Sequence, residues 1–270
     1  MKIWIVDAFT SEQFKGNPAG VCIVKEFPSQ ELMQNIAKEV NHSETAFVKP
    51  LAKNSYHIRW FTPNSEAPLC GHATLASSHI LIQEGLHNEN DEISFKSLAG
   101  KLIVNKTGEW LNLNFPLYNV TSIEYSPSIA EIIKIKPVFV GFSENCIFTE
   151  FADAREVKEL APDLALLTKY QCRALIATSR DDKYDFISRY FAPRVGINED
   201  PVCASAHCRL IPYWSDKLNK IEMLAYQASA RGGVIKCKNL GNRVLISGKA
   251  VTVIVGELNL LNIKELRDVA

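Results

Sequence analysis

Two short segments hold the residue types that acid–base chemistry needs, and each opens an apolar helix. The first is Leu69-Cys70-Gly71-His72-Ala73-Thr74. The second is Glu199-Asp200-Pro201-Val202-Cys203-Ala204-Ser205-Ala206-His207. A helix N-terminus presents backbone N–H groups without intrahelical partners and a partial positive charge. Two such ends facing each other would hold an anion, most simply a substrate carboxylate. Gly71 and Ala204 lack bulk and admit close approach to the backbone. His72, in the first turn of a buried helix, sits by its positive end. That favours the neutral imidazole, which donates one hydrogen bond and accepts another. The plainer reading of His72 is a satisfied core histidine. Asp200, just before Pro201, reads plainly as an N-cap. An internal repeat, described below, sets it instead opposite Cys70, and an acid facing a thiol is not a capping pattern.

A third segment, Asn41-His42-Ser43-Glu44-Thr45-Ala46-Phe47-Val48, places Glu44 where a helix gives way to an apolar strand. On solvent it is an ordinary loop carboxylate. Facing a cleft, it is a partly desolvated carboxylate with a raised pKa, as a general base near neutral pH requires. A fourth, Gln227-Ala228-Ser229-Ala230-Arg231-Gly232-Gly233, reads as a turn from which Arg231 could clamp a carboxylate. It reads equally well as a surface hairpin.

Other chemistries lack support. No GxGxxG follows a strand, and GxxxxGK[ST] and HExxH are absent. Cys203, His207 and Cys208 fall within two helical turns, but Ala206 and Leu210 mark that face as core, so no metal is expected. No lysine stands in a Schiff-base context. The expectation is a reaction without cofactor.

These residues sit in a chain that repeats itself. Arg59-Trp60-Phe61-Thr62-Pro63 recurs as Arg189-Tyr190-Phe191-Ala192-Pro193, and each copy leads to a helix start. Gly100 and Gly108 flank an alternating segment, as do Gly233 and Gly241. The helix-like stretch from Ser29 to Val40 has its partner in Glu156–Lys169. Ser29 is the expected N-cap of that first helix. The buried helices are expected at Ala73–Leu86 and Pro201–Trp214, with Pro201 in the first turn. Period-two strands such as Ile3-Trp4-Ile5-Val6 and Tyr56–Phe61 surround them. The reading is two similar α+β domains facing each other across a cleft. The first covers residues 1–118, with residues 260–270 available to close back onto it, and the second covers 119–259.

Lys+Arg and Asp+Glu are equal at 30 each. Bulk positive charge for nucleic acid is therefore lacking. No apolar run approaches the roughly 20 residues of a membrane span. The N-terminus has no signal-peptide pattern. Seven cysteines, an odd number with no CxxC pair, fit a reducing cytoplasm better than a disulfide framework.

Several of these segments resemble the phenazine-biosynthesis PhzF-like isomerase family. They are Asp7-Ala8-Phe9-Thr10 with Phe14-Lys15-Gly16-Asn17-Pro18-Ala19-Gly20-Val21, then Ser43–Val48, Phe61-Thr62-Pro63 running to Glu66, Leu69–Thr74, Glu199–Val202, Gly248-Lys249-Ala250-Val251 and Gly256-Glu257-Leu258. The resemblance implies a diaminopimelate-epimerase-like fold, in which two pseudo-symmetric domains each wrap an antiparallel β-barrel around a central helix. It places the family's catalytic carboxylate on Glu44, its histidine on His72, its aspartate on Asp200 and its active-site serine on Ser205. It also implies a homodimer and isomerisation of a dihydro-hydroxyanthranilate without cofactor. The family's usual Thr-Gly pair is Cys203-Ala204 here. Epimerase relatives use one cysteine from each half. Here Cys70 is matched by Asp200, which argues against a symmetric two-thiol racemase.

The expected function is thus a cofactor-independent isomerase acting on a small carboxylate-bearing metabolite. Glu44, His72 and Asp200 are its catalytic candidates. Gly71, Ala73, Cys203, Ala204, Ser205, Gln227, Arg231 and Gly232 are its binding candidates. The alternatives are a Cys70-dependent racemase or epimerase, with Cys70 in an acid–base or redox role, and a non-catalytic binding protein that keeps the fold.

Overall fold

Ser29 opens the first helix as its side chain predicts. Its Oγ accepts from Leu32 N–H at 3.2 Å, capping α1 (Gln30–Val40). Leu32, Met33, Ile36 and Ala37 recur at helical spacing and form its buried face. They pack on Ile3, Cys22, Phe47 and Phe61. The second helix, α2 (Gly71–Gln83), is buried nearly all round. Its polar residues survive burial by bonding to their own helix. The hydroxyls of Thr74, Ser77 and Ser78 donate to the carbonyls of Cys70, Ala73 and Thr74 at 2.5, 2.7 and 2.9 Å. A buried hydroxyl left without a partner costs about 1–3 kcal/mol.

The computed structural model describes residues 1–260. They form two units, Met1–Asn114 with the chain from Ser247 onward, and Phe115–Ile246. In the first unit β1 (Lys2–Ala8) runs antiparallel to β2 (Asn17–Ile23), and β2 runs parallel to β3 (Glu44–Ala52). β3 is antiparallel to β4 (Ser55–Phe61). β4 pairs antiparallel with the short β5 (Glu66–Ala67) and parallel with β6 (Ile93–Ser97). β7 (Gly100–Thr107) and β8 (Trp110–Pro116) continue antiparallel.

The second unit repeats this plan. β9 (Thr121–Ser122) and β11 (Cys146–Glu150) flank β10 (Phe139–Ser143), both antiparallel to it. β11 is parallel to β12 (Ala174–Arg180), and β12 is antiparallel to β13 (Phe186–Ala192). β13 pairs antiparallel with β14 (Ile197–Asp200) and parallel with β15 (Glu222–Gln227). β16 (Gly233–Asn239) is antiparallel to β15, and β17 (Arg243–Gly248) follows. Helices α3 (Pro127–Ile133), α4 (Ala154–Glu159) and α5 (Leu164–Lys169) pack on one core, where Ile129, Ile132, Val157 and Leu167 meet Ile147, Leu175 and Phe191. The buried helix of this unit is α6 (Ala204–Leu218).

Four expectations change. The strands are not antiparallel throughout. Each unit has two parallel pairs, because a helix carries the chain back to the same end of the sheet before it pairs again. The partner of the first helix is two short helices, divided at Ala161-Pro162, where proline cannot continue a helical ladder. The second buried helix does not start at Pro201. Cys203 is its N-cap, and Asp200 ends β14. Finally, the chain divides at Asn114/Phe115 and again at Ile246/Ser247, whereas the sequence placed 119–259 together. The cause is β18 (Ala250–Glu257), which pairs along the whole of β1 from Lys2↔Glu257 to Ala8↔Ala250. Residues 260–270, expected to close onto the first half, lie outside the described residues apart from Leu260.

No helix among the described residues is long and apolar enough to cross a membrane.

Candidate active site

Three first-unit candidates meet at the start of α2. Glu44 is the first residue of β3, beside Ala19 of β2. Its Oε2 lies 3.4 Å from His72 Nε2, with the two side chains 12% and 5% exposed. On the other edge of the same ring, Nδ1 lies 3.5 Å from Cys70 Sγ. Cys70 is the N-cap of α2, yet its side chain makes no capping hydrogen bond. Burial first, and the neighbouring His42 second, pull the His72 imidazole down to about 3. His72 therefore stands neutral at physiological pH and can serve as acceptor on one nitrogen and donor on the other. Gly71 and Ala73 lie on the first turn of α2 beside it.

Glu44, Cys70 and His72 offer carboxylate, thiol and imidazole atoms within 4.8 Å of one another. These atom types suit a borderline-soft cation. However, Sγ approaches Nδ1 while Oε2 approaches Nε2. One ion can take only one ring nitrogen, so three-point ligation requires the side chains to move.

The second-unit candidates gather at the start of α6. Cys203 backbone N–H donates to Gln227 Oε1 at 2.8 Å, and Gln227 Nε2 donates to the Asp200 carbonyl at 2.6 Å. Gln227 is fully buried at the end of β15. Both ends of its amide are thus engaged in fastening the Asp200–Cys203 segment to that strand. Gln227 therefore has a structural role at this helix start. The Cys203 sulfur lies 3.2 Å from Ser205 Oγ. Burial first, and the Asp200 carboxylate second, push its thiol well above the ordinary thiol range. Ser205 is exposed on the first turn of α6, and Ala204 beside it is buried.

Arg231 and Gly232 lie in the turn between β15 and β16. Gly232 has φ +67°, and a Cβ there would fall 1.9 Å from Tyr226 Oη, so glycine is required for backbone reasons. Its N–H donates to Ser229 Oγ at 3.1 Å, and Ser229 Oγ donates to the Pro201 carbonyl at 2.7 Å. Ser229, not singled out from the sequence, ties this turn to Pro201, between β14 and α6.

The pairing of Cys70 with Asp200 also changes. Arg59 makes a bidentate pair with Glu66, at 2.8 Å on both arms. Arg189 makes the same pair with Glu199, at 2.7 and 2.9 Å. Seven residues separate the first pair and ten the second, because a 3-10 turn, Pro193–Val195, lengthens the second copy. With that insertion counted, Cys70 corresponds to Cys203, and both cap their helices. Asp200 corresponds to Ala67. The matched Arg–Glu pairs were the signal that could have set this register.

The family model of phenazine biosynthesis-like protein, PhzC–PhzF, matches residues 6–256. An uncharacterised isomerase of Halalkalibacterium halodurans is 46% identical, with 95% of this chain and 97% of that protein aligned. A crystal structure of a PhzF-family phenazine biosynthesis protein from Enterococcus faecalis is 40% identical. It superposes with a TM-score of 0.92 over 96% of this chain and 99% of that one. A probable proline racemase from Agrobacterium radiobacter, at 8% identity, shares the fold alone, with a TM-score of 0.68 over 98% of this chain and 94% of its own. On a match this long, with isomerases at this identity, the chain belongs to the PhzC–PhzF phenazine biosynthesis-like family and is an enzyme of the isomerase class.

Proposed function

We propose that the chain moves a proton on a small carboxylate-bearing metabolite by general acid–base catalysis, without a cofactor. One observation carries this reading: a nearly buried carboxylate, Glu44, faces a neutral buried imidazole, His72, at 3.4 Å. Glu44 removes a proton from a substrate carbon and returns it elsewhere on the same face. The N–H groups of Gly71–Ala73 receive the substrate carboxylate at one helix end. At the other, Cys203 N–H is taken by Gln227, so the backbone of Ala204 and Ser205 meets the ligand. The reading requires the two helix starts to close on one substrate, as two domains around a cleft do. His72 and Asp200 orient an amino or hydroxyl group and share its proton, and Arg231 adds a positive charge. Positioned groups of this kind contribute about 10²–10⁴-fold each. A homodimer belongs to the same reading, and light scattering at twice the 30.2 kDa chain mass would support it.

The test is proton NMR in D₂O with a panel of cyclic and amino carboxylic acids, dihydro-hydroxyanthranilate and diaminopimelate among them. Deuterium entering one carbon with the wild type, and not with Glu44→Gln, supports the assignment. Equal exchange in both removes Glu44 as the base.

A second reading gains from one observation. Both buried helices are capped by cysteine, Cys70 and Cys203, the arrangement of a two-thiol racemase. It predicts that Cys70→Ala abolishes exchange. The raised Cys203 thiol weighs against it, because the partner would have to give up its proton readily.

A further inference from the structure

We propose that Cys70, His72 and Glu44 form a nucleophilic relay that captures small α,β-unsaturated carbonyl compounds covalently on the Cys70 sulfur. The proton-transfer reading leaves this thiol without a task. Yet it has the order that thiol activation requires: nucleophile, then base, then a carboxylate behind the base. Cys70 Sγ lies 3.5 Å from His72 Nδ1, and His72 Nε2 lies 3.4 Å from Glu44 Oε2. His72 is 5% exposed, and its Nε2 makes no hydrogen bond among the described residues. Such contacts are often long before a ligand arrives and tighten with it.

Burial raises the six other thiols. Cys22 and Cys208 are pushed up by burial to about 12, and Cys172 to about 11. Cys146 and Cys237 are also raised by burial. Cys203 sits beside the Asp200 carboxylate, which opposes a thiolate.

The step balances without a further reactant. As sulfur attacks the β-carbon, the thiol proton passes to His72 Nδ1 and a C–S bond forms. The C=C π pair moves onto the α-carbon and carbonyl oxygen. The first-turn N–H groups of α2, which the Cys70 side chain does not cap, face that developing charge. Glu44 stabilises the imidazolium. His72 then hands its proton to the α-carbon and returns to neutral. The product is a thioether, and nothing is oxidised or reduced.

Capture is independent of turnover, so its failure and that of the isomerase reading are separable by the deuterium experiment. Cys70 is 6% exposed, so the probe must be small. We would treat the full chain with acrylamide at pH 7 and follow intact mass and peptide maps over time. The first adduct is expected on Cys70, at least tenfold faster than on any other cysteine. His72→Asn should slow that labelling at least tenfold, and Glu44→Gln severalfold. A first adduct on another cysteine would overturn the proposal. So would a Cys70 that labels only after unfolding in urea, or an unchanged Cys70 rate in Glu44→Gln. The wild-type map and that variant decide the matter even if His72→Asn fails to fold.

Discussion

The two buried helices begin with the same residue type and surround it with opposite chemistry. At α2 the capping Cys70 meets a neutral imidazole, and behind the imidazole stands Glu44 from the neighbouring strand β3. At α6 the capping Cys203 meets the Asp200 carboxylate and the Ser205 hydroxyl, and its N–H is fixed by Gln227. In the first unit Cys70, His72 and Glu44 each have a neighbour that can take up or give a proton. In the second the thiol is held protonated and the backbone is immobilised. The two units thus share a scaffold, a helix start between strands, with different chemistry around it. In the reading proposed above, the first moves protons and the second presents a polar frame.

The largest expected effect that could break this division is on rate. Glu44→Gln should lower proton exchange by about 10²–10⁴-fold and leave the melting temperature nearly unchanged. A comparable loss on conversion of Ser205 to alanine, with Glu44→Gln active, would reverse the division.

The next is pH. Each unit buries one histidine in its central helix, and burial pulls His72 down to about 3 and His207 to about 4. Both stay neutral when folded, while the unfolded chain takes up protons near pH 6.5. Stability is therefore full above pH 6.5 and is lost as pH falls toward about 4. The slope is about 1.4 kcal/mol per pH unit for each histidine. Urea titrations at pH 7, 6 and 5 should show it, and His72→Asn should make the dependence shallower, while His207, His79 and His57, also held down in the fold, keep the remainder.

Gln227→Ala should cost about 2–4 kcal/mol, since it strands buried partners at both ends of the amide. Equilibrium unfolding reads this directly.

The smallest effect compares the two Arg–Glu pairs. Arg189 also donates to the carbonyls of Val157, Lys158 and Leu160 at 3.2, 3.1 and 2.6 Å and lies over the Phe191 ring, whereas Arg59 adds a 3.4 Å hydrogen bond to Gln30 and lies over the Phe27 and Phe61 rings. Arg189→Ala should cost about 2–3 kcal/mol and Arg59→Ala about 1 kcal/mol, after allowance for solvent screening. Equal losses would show that the bidentate pair alone matters.

Much of this was legible in the sequence where a local rule decides the outcome. Ser29 caps α1 because its hydroxyl reaches the Leu32 N–H. The junction at Glu44 follows from motif and hydrophobic pattern, and so does the presence of α2, although it runs Gly71–Gln83 where Ala73–Leu86 was expected. What escaped depends on distant partners. The three-residue insertion at Pro193–Val195 shifted the repeat, so Cys70 was matched with Asp200 in place of Cys203. The structural role of Gln227 was not legible because a polar side chain in a turn-like segment does not disclose its partners, here 24 and 27 residues away. The return of β18 to β1 joins positions more than 240 residues apart, and alternation within a strand specifies a face, never a neighbour.

The central claim is that proton chemistry belongs to Glu44 and His72, with Cys70 as an adjunct. Deuterium incorporation into a substrate from the carboxylic acid panel, measured side by side for wild type, Glu44→Gln and Cys70→Ala, tests it most directly. The account predicts exchange lost at least a hundredfold in Glu44→Gln and kept within tenfold of wild type in Cys70→Ala. Exchange kept in Glu44→Gln and lost in Cys70→Ala would contradict it and hand the reaction to the thiol.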